Sequence, residues 1–292
     1  MRYNTAGVIY FSGTGSTEYA AKILTDTLID KGVDTYIKSI SDGGKIAPVD
    51  VMVLMYPVHA GDASALVYKF IKKLDSVPVP LTDLVILSVS AGGEAISNTS
   101  CRSKVIRKLL KKGYKTVYED MLIMPNNFVT PYPDELNALL IKALSVKLEN
   151  VTKDLISGKS LKKTPRLIDS VLRTLLEPFK LFANVSGKTL KADSKCTGCA
   201  LCAENCPADN IIMKDNAPVF GWRCALCMKC VYNCPEQAIG GAIANAIKIK
   251  GGYDINKMAS YAESIQFTYE NVKKYAFDEA AIYKYLINLL NQ

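Results

Sequence analysis

Cys196-Thr197-Gly198-Cys199-Ala200-Leu201-Cys202-Ala203-Glu204-Asn205-Cys206-Pro207 returns 28 residues later as Cys224-Ala225-Leu226-Cys227-Met228-Lys229-Cys230-Val231-Tyr232-Asn233-Cys234-Pro235. Every cysteine and both prolines obey that offset, and so do Ile211 and Ile239. Such self-similarity marks an internal duplication, which implies a pseudo-twofold with one site on each side. Eight of the nine cysteines fall between Cys196 and Cys234. The ninth, Cys101, stands alone and reads as an inert buried thiol.

Paired zinc sites are the plain alternative, but zinc favours two CxxC pairs separated by a longer loop. Three cysteines at spacing three with a remote fourth suit a cubane iron-sulfur core instead. The three close ones wrap one cluster face, while the fourth, held before proline, is directed away toward the other cluster. Crossed ligation follows: Cys196, Cys199, Cys202 and Cys234 for one 4Fe-4S cluster, and Cys224, Cys227, Cys230 and Cys206 for the other. Soft thiolates select iron-sulfur clusters, and amides near Gly198 and Ala200 are placed to donate to the sulfurs. Over about residues 190–245 the chain resembles the bacterial two-cluster ferredoxins, with no ligand replaced. Between the motifs, Ile211 to Phe220 predicts a small hairpin turning at Asp215-Asn216. Trp222, the only tryptophan, is expected to pack, or else to shield a cluster from water.

Upstream, from residue 6 to about 125, short apolar runs alternate with helical patterns, as a parallel sheet covered on both faces requires. Strands are expected near Gly7–Ser12, Thr35–Ile40, Val51–Tyr56, Leu84–Ser90 and Thr116–Met124, with helices at Thr17–Lys31, Ser64–Leu74, Ser97–Lys112 and Pro133–Ile156. Strict alternation implies a doubly wound sheet whose ligands bind beyond the carboxyl ends of the strands.

At the first strand-to-helix turn stands Phe11-Ser12-Gly13-Thr14-Gly15-Ser16-Thr17-Glu18. Glycines let this backbone curl, and amides at a helix start with flanking hydroxyls make an anion cradle. The absence of Gly-Lys-Ser/Thr disfavours a P-loop, and Glu18 in place of the last glycine disfavours GxGxxG, so ATP and NAD are not the expected ligands. Over roughly residues 1–155 the chain resembles the flavodoxin family. That resemblance implies a five-stranded parallel sheet of order 2-1-3-4-5 and FMN as cofactor. It assigns the phosphate to Ser12, Gly13, Thr14, Gly15, Ser16 and Thr17, and the ring to the loops Tyr56, Pro57, His59, Ala60, Gly61 and Ala91, Gly92, Gly93. Tyr56 or His59 is expected to stack on the ring or donate to it. His59, the only histidine, is also placed to protonate reduced flavin or to touch a substrate, a satisfied loop histidine being the alternative. Asn126 and Asn127 point to the same rim, as flavin or substrate contacts or as a simple turn.

The expected organisation is a flavodoxin-like FMN domain over 1–157, a basic helical linker over 158–189, a small α+β two-cluster ferredoxin domain over 190–250 and a helical tail over 251–292. In the linker, Leu167, Ile168, Val171, Leu172, Leu175, Leu176, Phe179 and Phe182 repeat at helical spacing, which reads as a helix packed on one or both domains rather than on a membrane. The tail reads as one or two helices without identifiable chemistry. The formal charge of +8 counts cysteines as neutral. Two thiolate-bound clusters bring about −4 and a phosphate ester up to about −2, so the excess calls for no nucleic-acid partner. No signal peptide, no transmembrane segment and a cytoplasmic location are expected.

The combination resembles the anaerobic flavodoxin-domain-containing ferredoxins. Membership implies an electron carrier serving a redox partner, an anaerobic and often radical enzyme, or a reductase. Two other readings stand beside it: an FMN-dependent reductase of a small organic substrate fed by the clusters, and a ferredoxin whose flavodoxin-like part is a flavin-free docking module.

Overall fold

The structure, a computed structural model, describes residues 2–77, 81–94, 98–176 and 179–292. Strands β1 (Thr5–Tyr10), β2 (Asp34–Ser39), β3 (Val51–His59), β4 (Asp62–Ala63), β5 (Thr82–Ser90) and β6 (Tyr114–Ile123) form the main sheet. Five of them run parallel in the order β2-β1-β3-β5-β6, and the two-residue β4 folds back antiparallel on β3. The five parallel strands therefore have the 2-1-3-4-5 order of a flavodoxin-like doubly wound sheet.

The pleat explains the unbroken apolar run of β3. Val51, Val53 and Met55 enter a core shared with helices α1 (Ser16–Asp30) and, further along the chain, residues 138–155, while Met52, Leu54 and Tyr56 enter the opposite core with α2 (Ala65–Lys73) and α3 (Ser103–Leu110). A strand buried on both faces has no polar phase to show. Residues 138–155 belong to α4 (Asp134–Ser157), which ends on Gly158 in a left-handed conformation, a common helix stop.

Helix α3 is shorter than the expected Ser97–Lys112. Residues 95–97 lie outside the described residues, and residues 98–102 form turns because their polar side chains are engaged elsewhere. The Asn98 amide donates to Ser90 Oγ and the Gly93 carbonyl, and Thr99 and Ser100 donate to Asp169. Such side-chain bonds compete with helix formation.

The linker is helical, as its periodicity predicts, but it is not one continuous helix. Residues around Leu161 lie along the outer edge of β6, where Leu161 bridges Tyr118 in parallel. Helices α5 (Leu167–Leu175) and α6 (Phe179–Lys188) follow. The polar Asp169 is the buried anchor of α5, while Leu167 is 81% exposed and Leu175 68% exposed. Several linker cations are neutralised in place: Lys159 pairs with Asp154 at 3.0 Å, Lys163 with Glu94 and Asp120, and Arg166 with Asp169 at 2.9 Å.

The cysteine-rich part contains β7 (Lys191–Ala192), α7 (Leu201–Glu204), β8 (Ile211–Lys214), β9 (Ala217–Phe220), α8 (Lys229–Tyr232) and β10 (Ile239–Gly240). Its duplication reaches the backbone. Helices α7 and α8 are one offset apart, and the pair Ile239↔Ala192 repeats the pair Ile211↔Phe220. Left-handed residues recur as well: Gly198 with Leu226, Ala200 with Met228, Asp209 with Gln237. The β8–β9 turn has positive φ at Asp215 and Asn216, the pattern of a type I′ hairpin.

Helix α9 (Ala242–Ile247) leads to three tail helices rather than one or two: α10 (Ile255–Ala262), α11 (Tyr269–Ala276) and α12 (Ala280–Leu290). Ile249, Tyr253, Ile255 and Ala262 complete the α1–α4 core, while Val272, Ile282 and Leu286 pack with Leu136, Leu139 and Leu140 of α4. The tail thus belongs to the body of the N-terminal part. Among the described residues no helix is long and apolar enough to cross a membrane.

Candidate functional site

Seven of the eight duplicated cysteines gather in two sets. Cys206, Cys224 and Cys227 are the electrostatic neighbours of Cys230, and Cys196 and Cys199 are those of Cys202. Cys202 also faces Cys230, so the sets adjoin. Cys234 is partly buried on the apolar core that Cys202, Cys206 and Cys230 share. The left-handed turns direct amides inward: Leu226 N–H donates to Cys224 Sγ at 3.3 Å and Asn210 N–H to Cys206 Sγ at 3.4 Å. Burial, reinforced by neighbouring thiolates, pushes the Cys227 thiol up to about 12 and that of Cys230 higher still. Thiols so placed ionise only when a cationic core takes the place of their protons. This donor set fits iron-sulfur clusters. Among the described residues no three His, Cys, Asp or Glu side chains group as ligands of a single ion.

A cavity of about 560 Å³ lies beyond the carboxyl ends of the strands. It is lined by Ser12, Gly13, Thr14, Ser16 and Thr17 from the first turn, by Pro57, His59 and Ala60 at the end of β3, by Ala91 and Gly92 after β5, and by Asn126 and Asn127 after β6. Another wall is Cys224 to Met228 together with Ala183 and Asn184 of α6. Among the described residues, none that lines it is charged.

Four of the expected flavin contacts stand elsewhere. Gly15 is the left-handed cap of α1, covered by Ile255. Tyr56 is fully buried, with its hydroxyl 3.4 Å from the Cys101 carbonyl, because pleat parity turns it into the α2–α3 core; it has no access to stack on a ring. Gly61 forms the tight β3–β4 turn with Ala60. Gly93 is required by packing, since a Cβ there would lie 2.6 Å from Ile123 Cδ1. Cys101 is buried, and desolvation raises its thiol to about 11, as an inert role requires.

Hydrogen-bond accounting sorts the hydroxyls. Tyr253 donates its single proton to the Pro125 carbonyl at 3.2 Å, so in its 2.6 Å contact with Ser16 the serine is the donor. Ser16 therefore offers a ligand its backbone amide and not its hydroxyl. Thr14 Oγ1 accepts from the Asn127 amide at 2.6 Å, and Ser12 Oγ accepts from Gly15 N–H at 3.1 Å; both keep their own protons to donate. Neutral hydroxyls and the first amides of α1 suit a phosphate held without a lysine.

The cavity and the cysteine loop are tied together. A Cβ on Gly13 would overlap the Cys227 carbonyl oxygen, and one on Gly187 would overlap Cys224 Cβ. Burial drives the His59 imidazole down to about 4 against the opposing bond to the Ala225 backbone, so it is neutral and donates one N–H to that carbonyl. With its amide suitably oriented, Asn184 donates to the carbonyls of Cys224 and Trp222, each at 3.1 Å. Trp222 itself is 60% exposed, so it is not a core residue. Asn126 serves the turn, bonding Thr130 and Phe128.

Asn184 and Tyr253 were beyond the sequence reading, since the linker and tail carry no motif that connects them to the first turn. A larger cleft of about 1080 Å³ runs between residues 38–49, α2 and the Glu204–Asp209 segment. Of the expected cofactor residues it touches Cys206 alone.

Comparison with known proteins bears on each half separately. Residues 195–239 match the family described as 4Fe-4S dicluster domain. Among solved structures, the chain is similar to a flavodoxin from the domain Archaea (15% identity, 51% of this chain and 99% of that one, TM-score 0.33). It is similar also to a Streptococcus pneumonia TIGR4 flavodoxin (12% identity, 52% and 98%, TM-score 0.37). A third is the rubredoxin oxygen:oxidoreductase from the anaerobe Desulfovibrio gigas (12% identity, 60% and 37%, TM-score 0.35). No curated protein sequence matches the chain.

Proposed function

We propose that the chain is an iron-sulfur flavoprotein that passes electrons between FMN and two 4Fe-4S clusters, to or from a partner redox protein. The observation that carries this reading is a single cavity with the hydroxyl-rich first turn on one wall and Cys224 to Met228 on another. When bound, FMN takes two electrons and releases them singly, whereas each cluster carries one.

The chain's own residues divide the work. Ser12, Thr14 and Thr17, with the amides opening α1, hold the phosphate; Pro57, His59, Ala60, Ala91 and Gly92 line the ring end. Cys206, Cys224, Cys227 and Cys230 hold the cluster beside the cavity, and Cys196, Cys199, Cys202 and Cys234 hold the second. The FMN-binding part spans 1–157, the linker 158–189 and the cluster part 190–250, with 251–292 returning to the first. Ala183 and Asn184 of the linker cover the cavity, which favours a shielded carrier over a site open to an organic substrate.

The test is anaerobic purification with analysis of iron, sulfide and flavin. About eight irons, matching sulfide and one FMN per chain are expected, with reduction of one cofactor followed by the other in the isolated protein. Zinc in place of iron, or flavin and clusters that do not exchange electrons, overturns the proposal.

A further inference from the structure

The duplication predicts two equivalent cluster sites, but their surroundings differ. In the Cys196 loop, Gly198 is met by the β8–β9 hairpin turn: a Cβ there would lie 2.8 Å from Asn216 O, and Asp215 and Asn216 are exposed. One offset earlier, Gly187 at the end of α6 occupies the matching place over Cys224. There the chain is not a turn but a helix, which continues back to Ala183 and Asn184 and roofs the cavity. Gly13 closes against Cys227 on the other side, and His59 holds Ala225. Of the eight duplicated cysteines, Cys199 is the exposed one and the other seven are partly covered.

We infer that the two clusters have fixed and different stations. The cluster of Cys206, Cys224, Cys227 and Cys230 is the inner one and exchanges electrons with the flavin cavity. The cluster of Cys196, Cys199, Cys202 and Cys234 is the outer one and exchanges with the partner. This order rests on the flavin–cluster reading proposed above. With the cofactors bound, Cys206, Cys224, Cys227 and Cys230 would hold the one-electron centre beside the flavin cavity, and Cys196, Cys199, Cys202 and Cys234 would hold the one from which a one-electron acceptor protein collects. No bond is made or broken at either cluster, and the reverse flow uses the same stations. Because electron transfer weakens steeply with separation, the asymmetry decides which cluster a partner must approach.

The experiment uses the anaerobic holoprotein reduced with dithionite, and reads electron paramagnetic resonance power saturation with and without a dissolved dysprosium chelate. One cluster signal is expected to relax several-fold faster with the chelate, and the other to change little. Two variants identify the accessible one. Cys199→Ser alters a ligand of the outer cluster and is expected to move the chelate-sensitive signal. Asn216→Lys leaves all ligands in place and is expected to shift the midpoint potential of that same signal upward, leaving the other unmoved. Equal sensitivity of both signals, or a chelate-sensitive signal that ignores Asn216→Lys, overturns the inference. A loaded protein with both clusters and no flavin would defeat the relay reading while the outer station could still be assigned. Flavin and clusters both present, with the Cys199 cluster protected, would defeat the stations and leave the relay reading intact.

Discussion

Replacing Gly13 with alanine probes the contact between the first turn and the cysteine loop. The added methyl would overlap the Cys227 carbonyl oxygen and lie 3.2 Å from Cys227 Cβ. A backbone carbonyl cannot rotate away as a side chain does, so either the turn or the Cys224–Met228 loop must move. Overpacking of this kind costs about 1–3 kcal/mol. If the displacement falls on the cavity, FMN affinity drops by about 5- to 150-fold, at 1.4 kcal/mol per factor of ten. The assay is titration of flavin-depleted protein with FMN, read by quenching of flavin fluorescence, alongside thermal unfolding. Gly92→Ala is the control for stability, because its methyl meets nothing within 4 Å. Gly13→Ala protein with unchanged melting and an FMN affinity within about twofold of the parent would refute the packing argument.

Three further outcomes are expected. Asp120 is buried, which alone would raise its carboxyl, but Lys147 and Lys163 outweigh burial and hold it below the ordinary carboxylate value. Its contribution is therefore complete above the unfolded-state carboxylate pKa of about 4 and is lost as pH falls through the lower folded-state value. Asp120→Asn should cost about 3 kcal/mol in denaturant unfolding at pH 7, and progressively less as pH falls below about 4. Tyr253→Phe should destabilise by about 1–2 kcal/mol and yet leave FMN affinity equal or tighter, since it releases the Ser16 hydroxyl. A tenfold weaker affinity would contradict the donor assignment. Stripping iron with a chelator should release flavin as well, seen as a rise in flavin fluorescence, because Cys224 to Met228 form a wall of the cavity.

The duplicated cysteine pattern was fully legible because spacing alone dictates it, and the same offset reappears in φ values at Gly198/Leu226 and Ala200/Met228. The parallel sheet was legible from alternation and from the runs of β1, β3 and β5, buried on both faces, whereas its strand order came with the resemblance to flavodoxins. Tyr56 shares the parity of Met52 and Leu54: in-phase residues share a core, and that core is the α2–α3 side, away from the expected ring contact. The linker shows where periodicity stops informing. Its spacing specified helices, but Asp169, not the leucines, makes the buried contact with Thr99 and Ser100. Contacts such as Ser16–Tyr253, 237 residues apart, come from the folded tail and leave no local trace.

The central claim is that a flavin lies against the inner of two four-iron clusters. Anomalous diffraction at the iron edge, from crystals grown without oxygen, tests it most directly. The account expects two compact iron peaks, one within Cys206, Cys224, Cys227 and Cys230 and one within Cys196, Cys199, Cys202 and Cys234, with flavin density between the first peak and the Ser12–Thr17 turn. Single-ion peaks at the zinc edge, or a cavity filled by solvent beside intact clusters, would contradict it.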